Sequence, residues 1–195
     1  SLIFIIIIKL KLEIFIFFKY IKIKKMSNQE EPPLFFWGHN FEKCGKNAYL
    51  SNWYPASFQD SEGHNFSDNE KYMMWMKAKL FGDQKKADEI LLSPSPGESK
   101  KFGRQVSNFV DSVWKDNARE IVYQGCLLKF SQNPELKEFL LSTGDRLLVE
   151  ASPRDRIWGI GLGAKRASTL PPEEWRGKNW LGECLMRARQ TLRES

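Results

Sequence analysis

The stretch SDNEKYMMWMKAKL (residues 67–80) decides how this chain is read. Ser67, Asp68, Asn69 and Glu70 have the S-x-x-E form of a capping box, and Tyr72, Met73, Trp75, Met76 and Leu80 follow at helix-compatible positions. A helix is therefore expected from Ser67. Upstream, Leu34 to Gly38 reads as a first strand, His39 to Ala48 as a polar loop, and Tyr49 to Phe58 as a short strand with bends. Downstream, helices are expected at Gln84 to Leu92, Glu98 to Gln105 and Asp111 to Phe130. Asn133 and Pro134 provide an N-cap and a proline at N1 for a helix that ends at Gly144. Arg146 to Ala151 and Arg156 to Ile160 read as strands, and a last helix, capped by Asn179, carries Leu181, Cys184, Leu185, Ala188 and Leu192. Many helices with a few short strands predict a single compact, α-rich domain of the α+β class.

The 195 residues contain 30 Lys plus Arg and 24 Asp plus Glu, a net charge of +6. Residues 1–25 hold six of the lysines and one glutamate, leaving 24 basic and 23 acidic side chains in the rest. A near-neutral body argues against gripping nucleic acid by phosphate neutralisation alone. Apart from Ser1 and Glu13, residues 1–25 consist only of Ile, Phe, Leu, Lys and Tyr, types that A- and T-only codons can encode. They read as a non-native leader ahead of Met26, with a membrane anchor as the rival. Lys9, Lys11 and Glu13 interrupt the apolar run well short of the roughly 20 residues a span needs. The expected organisation is a leader at 1–25, a polar tail at 26–33 and one domain at 34–195. Cys44, Cys126 and Cys184 are odd in number and widely spaced, which favours reduced thiols over a disulfide framework or zinc site.

Glu70 and Lys77 lie seven residues apart, on one face of the expected helix, with Met73 and Met74 between them. They are paired or face a pocket, unless Glu70 merely completes the capping box and Lys77 extends its amine from a buried stem. In the segment from Glu150 to Gly163, an acid ends an apolar strand, a turn presents Asp155, and Trp158 opens a run with glycine at every other position. Such glycines let backbone approach a ligand closely, or form a flexible turn. All seven tryptophans lie after residue 25; most should be core, and Trp158 is the best placed to stack on a base.

Taken together, the order of these segments resembles the NADAR (YbiA-like) superfamily. The carriers are Leu50 to Trp53, Ser67 with Glu70, Tyr72 and Lys77, Trp114, Lys129 with Phe130, Leu148 to Gly161, and Gly177 to Arg189. The resemblance implies an N-glycosidase acting on a ribosyl group attached to the amino group of a heterocycle. ADP-ribosylated guanine, in nucleic acid or nucleotide, is the first substrate it implies, and a phosphoribosylated pyrimidine of the riboflavin route the second. The competing class is a module that binds ADP-ribose without turning it over. The chemistry needs a carboxylate near the anomeric carbon and an acid for the leaving amine. Glu70 and Asp155 match that pair, with Glu70 assigned to proton transfer and Asp155 to water or the ribose hydroxyls. Lys77 joins them as phosphate binder, electrostatic partner of Glu70 or amine nucleophile. Trp114 and Trp158 would sandwich the base, while Asn52, Gly159 and Gly161 would hold ribose or phosphate. No metal, organic cofactor or membrane is called for, and a cytoplasmic or nuclear location is expected. A chain shortened to start at Met26 should focus near neutral pH and keep its activity; isoelectric focusing with a substrate-release assay checks both.

Overall fold

The computed structural model describes residues 31–195; the leader expectation lies outside them. Strand β1 (Leu34–Phe36) pairs in parallel with β4 (Leu148–Glu150), placing Phe36 opposite Glu150. A second ladder joins β2 (Phe58–Gln59) to β3 (Asn65–Phe66), antiparallel. Between β1 and β2, the expected polar loop folds into a one-turn helix α1 (Phe41–Cys44), capped by Asn40, and a 3₁₀ helix (Gly45–Leu50). The strand expected at Tyr49 to Phe58 is consequently reduced to β2.

Six further helices supply most of the mass: α2 (Asn69–Leu80), α3 (Gln84–Leu91), α4 (Pro96–Gly103), α5 (Asp111–Gln132), α6 (Pro134–Ser142) and α8 (Trp180–Glu194). A one-turn α7 (Ala164–Ala167) and a 3₁₀ turn (Pro172–Glu174) fill the stretch before α8. α2 is central, packing against α3, α4 and α5, and residues 69–75 are buried almost all round. α5 also packs along α8, with Val122, Phe130, Leu140, Leu148 and Leu185 fully buried nearby.

Two expected helix starts are made differently. The N-cap of α2 is Asp68, one residue later than the capping box implies: its Oδ1 accepts from Lys71 N at 2.8 Å, and Ser67 Oγ donates to its Oδ2. An aspartate caps as well as a serine, so Glu70 is released from capping. Asn179 precedes α8 but its side chain does not cap it. Instead, its Oδ1 accepts from Glu150 N at 2.9 Å and its Nδ2 donates to Leu148 O at 2.8 Å, so the amide occupies the free edge of β4. The segment expected as a strand at Arg156 to Ile160 is a turn, because Asp155 Oδ1 gathers the backbone N–H groups of Ile157 and Trp158, each at 2.8 Å.

The α2–α5 crossing is tightest at Gly125, where an added Cβ would stand 1.9 Å from Asn69 Oδ1 and 2.6 Å from the Tyr72 ring. Gly125→Ala should therefore cost about 1–3 kcal/mol through overpacking. A denaturant midpoint equal to the wild type's would refute that account of the crossing.

Candidate active site

Asn52 sits where the 3₁₀ helix hands over to the segment facing α2. Its backbone carbonyl accepts from Glu70 N at 3.0 Å, and its side-chain oxygen accepts from Asn69 Nδ2 at 2.9 Å. Behind it, Lys129 on α5 is 1 % exposed and donates to the carbonyls of Tyr49 and Ser51, both at 2.8 Å. Burial lowers the Lys129 pKa to about 8. These bonds hold the Ser51–Trp53 wall against the first turn of α2.

Two adjoining cavities open on that wall. The first, about 380 Å³, is lined by aromatic Trp37, His39, Trp53 and Trp158, by polar Ser51, Asn52 and Ser152, and by Glu70, Lys100, Glu150 and Asp155. The second, about 680 Å³, shares Glu70, Lys100, Ser152, Asp155 and Trp158 and adds Lys77, Arg104, Trp114, Arg154 and Arg156. The carboxyl of Glu70 thus lies at the junction. It is 3 % exposed, and its Oε1 has no hydrogen-bond partner among the described residues. Among the described residues the nearest cation is Lys100 of α4, whose Nζ stands 3.9 Å from Oε1 and 5.7 Å from the Trp53 ring centre. Burial raises the Glu70 pKa to about 7, against the opposing pull of Lys100 and the Trp53 indole N–H.

Glu150, at the end of β4, is a second acid of this kind: burial and the neighbouring Asp155 charge raise it to about 8, with Lys100 acting the other way. Two buried carboxyls therefore share the Lys100 ammonium, and Asp155 lines the same cavity. Asp155 Oδ1 is engaged by backbone N–H groups, with Gly159 N a third at 3.4 Å, which fixes the side chain in the turn.

Of the residues expected from sequence, Asn52, Glu70, Asp155 and Trp158 meet in the first cavity, and Lys77 and Trp114 line the second together with Glu70, Asp155 and Trp158. Lys77 does not pair with Glu70. Its Nζ donates to Gly103 O at 2.8 Å and lies 4.3 Å from the Phe109 ring centre and 5.6 Å from that of Trp114. Partial burial and the Arg104 charge lower its pKa. Gly159 and Gly161 line neither cavity. A Cβ on Gly159 would stand 2.9 Å from Glu150 O, and Gly161 adopts φ +67° while donating to Asp155 O at 2.8 Å. Their backbone serves the turn that presents Asp155 and Trp158.

Sequence reasoning singled out Glu150 without giving it a role in the site, and it missed Lys100. An acid closing a buried apolar strand was the available signal for Glu150. Nothing local marks Lys100, because its partner lies 30 residues away. The buried thiols line neither cavity, and burial raises the Cys126 pKa to about 12 and raises that of Cys184 as well.

The NADAR domain family model matches residues 35–193. N-glycosidase R617 of Acanthamoeba polyphaga mimivirus is 42 % identical over 161 residues, covering 80 % of this chain and 94 % of that protein. The chloroplastic riboflavin biosynthesis protein PYRR of Zea mays is 33 % identical over 154 residues, 73 % of this chain but only 23 % of that protein. The NMR structure of the E. coli protein YbiA superposes with a TM-score of 0.68 at 25 % identity, covering 85 % of this chain and 88 % of that one. Sequence and fold agree, and this chain belongs to the NADAR domain family.

Proposed function

We propose that this protein is an N-glycosidase that hydrolyses the C–N bond between a ribosyl group and the amino group of a heterocyclic base, with ADP-ribosylated guanine as its substrate. The observation that carries the reading is the buried Glu70 carboxyl at the cavity junction, its pKa raised to about 7 beside Glu150, Asp155 and Lys100. At neutral pH such a group exists in both protonation states, as proton transfer to a departing amine and from an attacking water requires. Its membership of a family that includes proteins named N-glycosidases supports the same chemistry.

In the reaction, the C–N electron pair leaves with the base nitrogen, which takes a proton. Water adds to the anomeric carbon and gives up a proton to a carboxylate. Positive charge builds on the sugar in between, and the carboxylates of Glu70 and Asp155 oppose it. Asp155, held by three N–H groups on one oxygen, keeps the other for water or a ribose hydroxyl. Glu150 stays protonated at neutral pH and can donate a hydrogen bond to the substrate. Lys77, with its ammonium partly desolvated, is suited to a phosphate or to attack on an opened sugar. Asn52 holds the ribose, while Trp158, with Trp53 or Trp114, supplies the stacking faces.

Similarity to PYRR favours one second reading, a phosphoribosylamino-pyrimidine substrate. Incubating the protein with each substrate and detecting the released sugar by mass spectrometry separates the two. Release from neither would leave a module that binds without turnover. Glu70→Gln should still bind ADP-ribose but lose about 10²–10⁴-fold in turnover; wild-type turnover in this variant would remove Glu70 from the mechanism. The raised acids also set a pH dependence of stability. The folded state holds protons that the unfolded chain releases near pH 4.5, so stability should fall as pH rises above about 4.5 and level off once it has passed about 7 for Glu70 and about 8 for Glu150. Glu150→Gln should flatten that decline and be the more stable protein at pH 9, as thermal unfolding across pH would show.

A further inference from the structure

Helix α4 is fixed to the rest of the fold on both sides of Lys100. One residue before it, Ser99 is fully buried, and its Oγ shares a 2.6 Å hydrogen bond with the Oγ of buried Ser93. Three residues after it, Gly103 lies so close to α2 that a Cβ there would stand 2.0 Å from Met74 Sδ. These anchors set Lys100 on the cavity side of α4, where it lines both hollows, while its exposed neighbour Lys101 lines neither. The Lys100 ammonium stands 3.9 Å from Glu70 Oε1. At that separation it attracts the carboxylate without a hydrogen bond, so the lone pairs of the oxygen stay open to a proton. The Trp53 ring, 5.7 Å from the same Nζ, favours a cation there as well.

The other charged and titratable groups around Glu70 do not replace it. Asp68 on α2 and Asp155 in the turn both oppose its ionisation, and Glu150 on β4 is a second acid drawn down by the same lysine. Lys77 donates instead to Gly103 O, and the arginines at 104, 154 and 156 line only the larger cavity. His39 lines only the smaller. Among the described residues, α3, α5 and β3 contribute no charged side chain to either lining. We infer that Lys100 is a positioning residue for the reaction: its ammonium holds Glu70 as a carboxylate at the cavity junction and leaves that carboxylate free to take the proton of the attacking water. The inference deepens the N-glycosidase reading and rests on it for the reaction, whereas the coupling of Lys100 to Glu70 can be measured in the free protein. Without the ammonium, burial and the acidic neighbours are opposed only by the Trp53 indole, and Glu70 keeps its proton to higher pH.

The test compares the whole protein with Lys100→Met, Lys100→Arg and Lys101→Met. Carbon-13 NMR follows the Glu70 carboxyl against pH in the free protein, and kcat/KM for base release is measured over the same pH range. In Lys100→Met the Glu70 titration and the rise of kcat/KM with pH should both move to higher pH. At neutral pH kcat/KM should fall about tenfold, as loss of an opposite charge this close implies, and raising the pH should recover most of that loss. Lys100→Arg should restore both midpoints, and Lys101→Met should leave them at their wild-type positions. An unmoved Glu70 midpoint in Lys100→Met would overturn the inference. An equal shift in Lys101→Met would do the same, by assigning the effect to net charge. So would a loss of activity that is uniform across pH, the mark of a packing or substrate-contact role. Should Lys100→Met unfold, Lys100→Gln carries the same comparison. If the wild type releases no base, the hydrolase reading falls, and the NMR titration still decides whether Lys100 governs Glu70.

Discussion

The site depends on one buried ammonium. Lys129 sits inside the core and spends two of its three N–H donors on the carbonyls of Tyr49 and Ser51. A charge this deep is tolerated only when it is well bonded, and removing one member of such an arrangement typically costs about 3–5 kcal/mol. The nearby Asp68 charge favours the ammonium, and Asp68 is also the N-cap of α2. A single cluster thus fixes where α2 begins, where the 3₁₀ helix ends, and how Asn52 lies against Asn69 and Glu70. Strength and placement come from the same bonds.

That cluster also explains why the Glu70 carboxyl can be so poorly solvated. A carboxyl with one oxygen lacking a hydrogen bond is costly to bury, and the surrounding structure must hold it there. Asp68 takes over the capping role, Gly125 lets α5 approach α2 closely, and the Asn52 carbonyl secures the Glu70 backbone. The acid is left with a distant ammonium and an indole N–H for company, which is the setting that lifts its pKa toward neutrality.

Local signals read well from sequence. The helices at 84–91 and 111–132 fall within a residue or two of expectation, because their apolar spacing and breakers are contained within each segment. What escaped reading was made by contacts at a distance or by a side chain competing with the backbone. Asp155 turns an apparent strand into a loop by drawing N–H groups to one oxygen, and Asn179 leaves its expected cap to bond a strand 29 residues away. The meeting of Glu70 with Asp155 was legible through the ordered motifs of the family. Lys100 was not, since nothing within α4 distinguishes it from Lys101.

Asn179 has a consequence for assembly. A two-stranded parallel sheet ordinarily presents bare backbone groups along its outer edges, where a strand of another chain can add. Along β4, Leu148 O and Glu150 N are taken by the Asn179 amide, and Glu150 O accepts from Ile160 N at 3.0 Å. One side chain and one loop residue close the ladder that a third strand would otherwise extend. On that side the sheet is sealed against templated pairing, and the strand end that carries Glu150 is insulated from neighbouring molecules in a crowded solution.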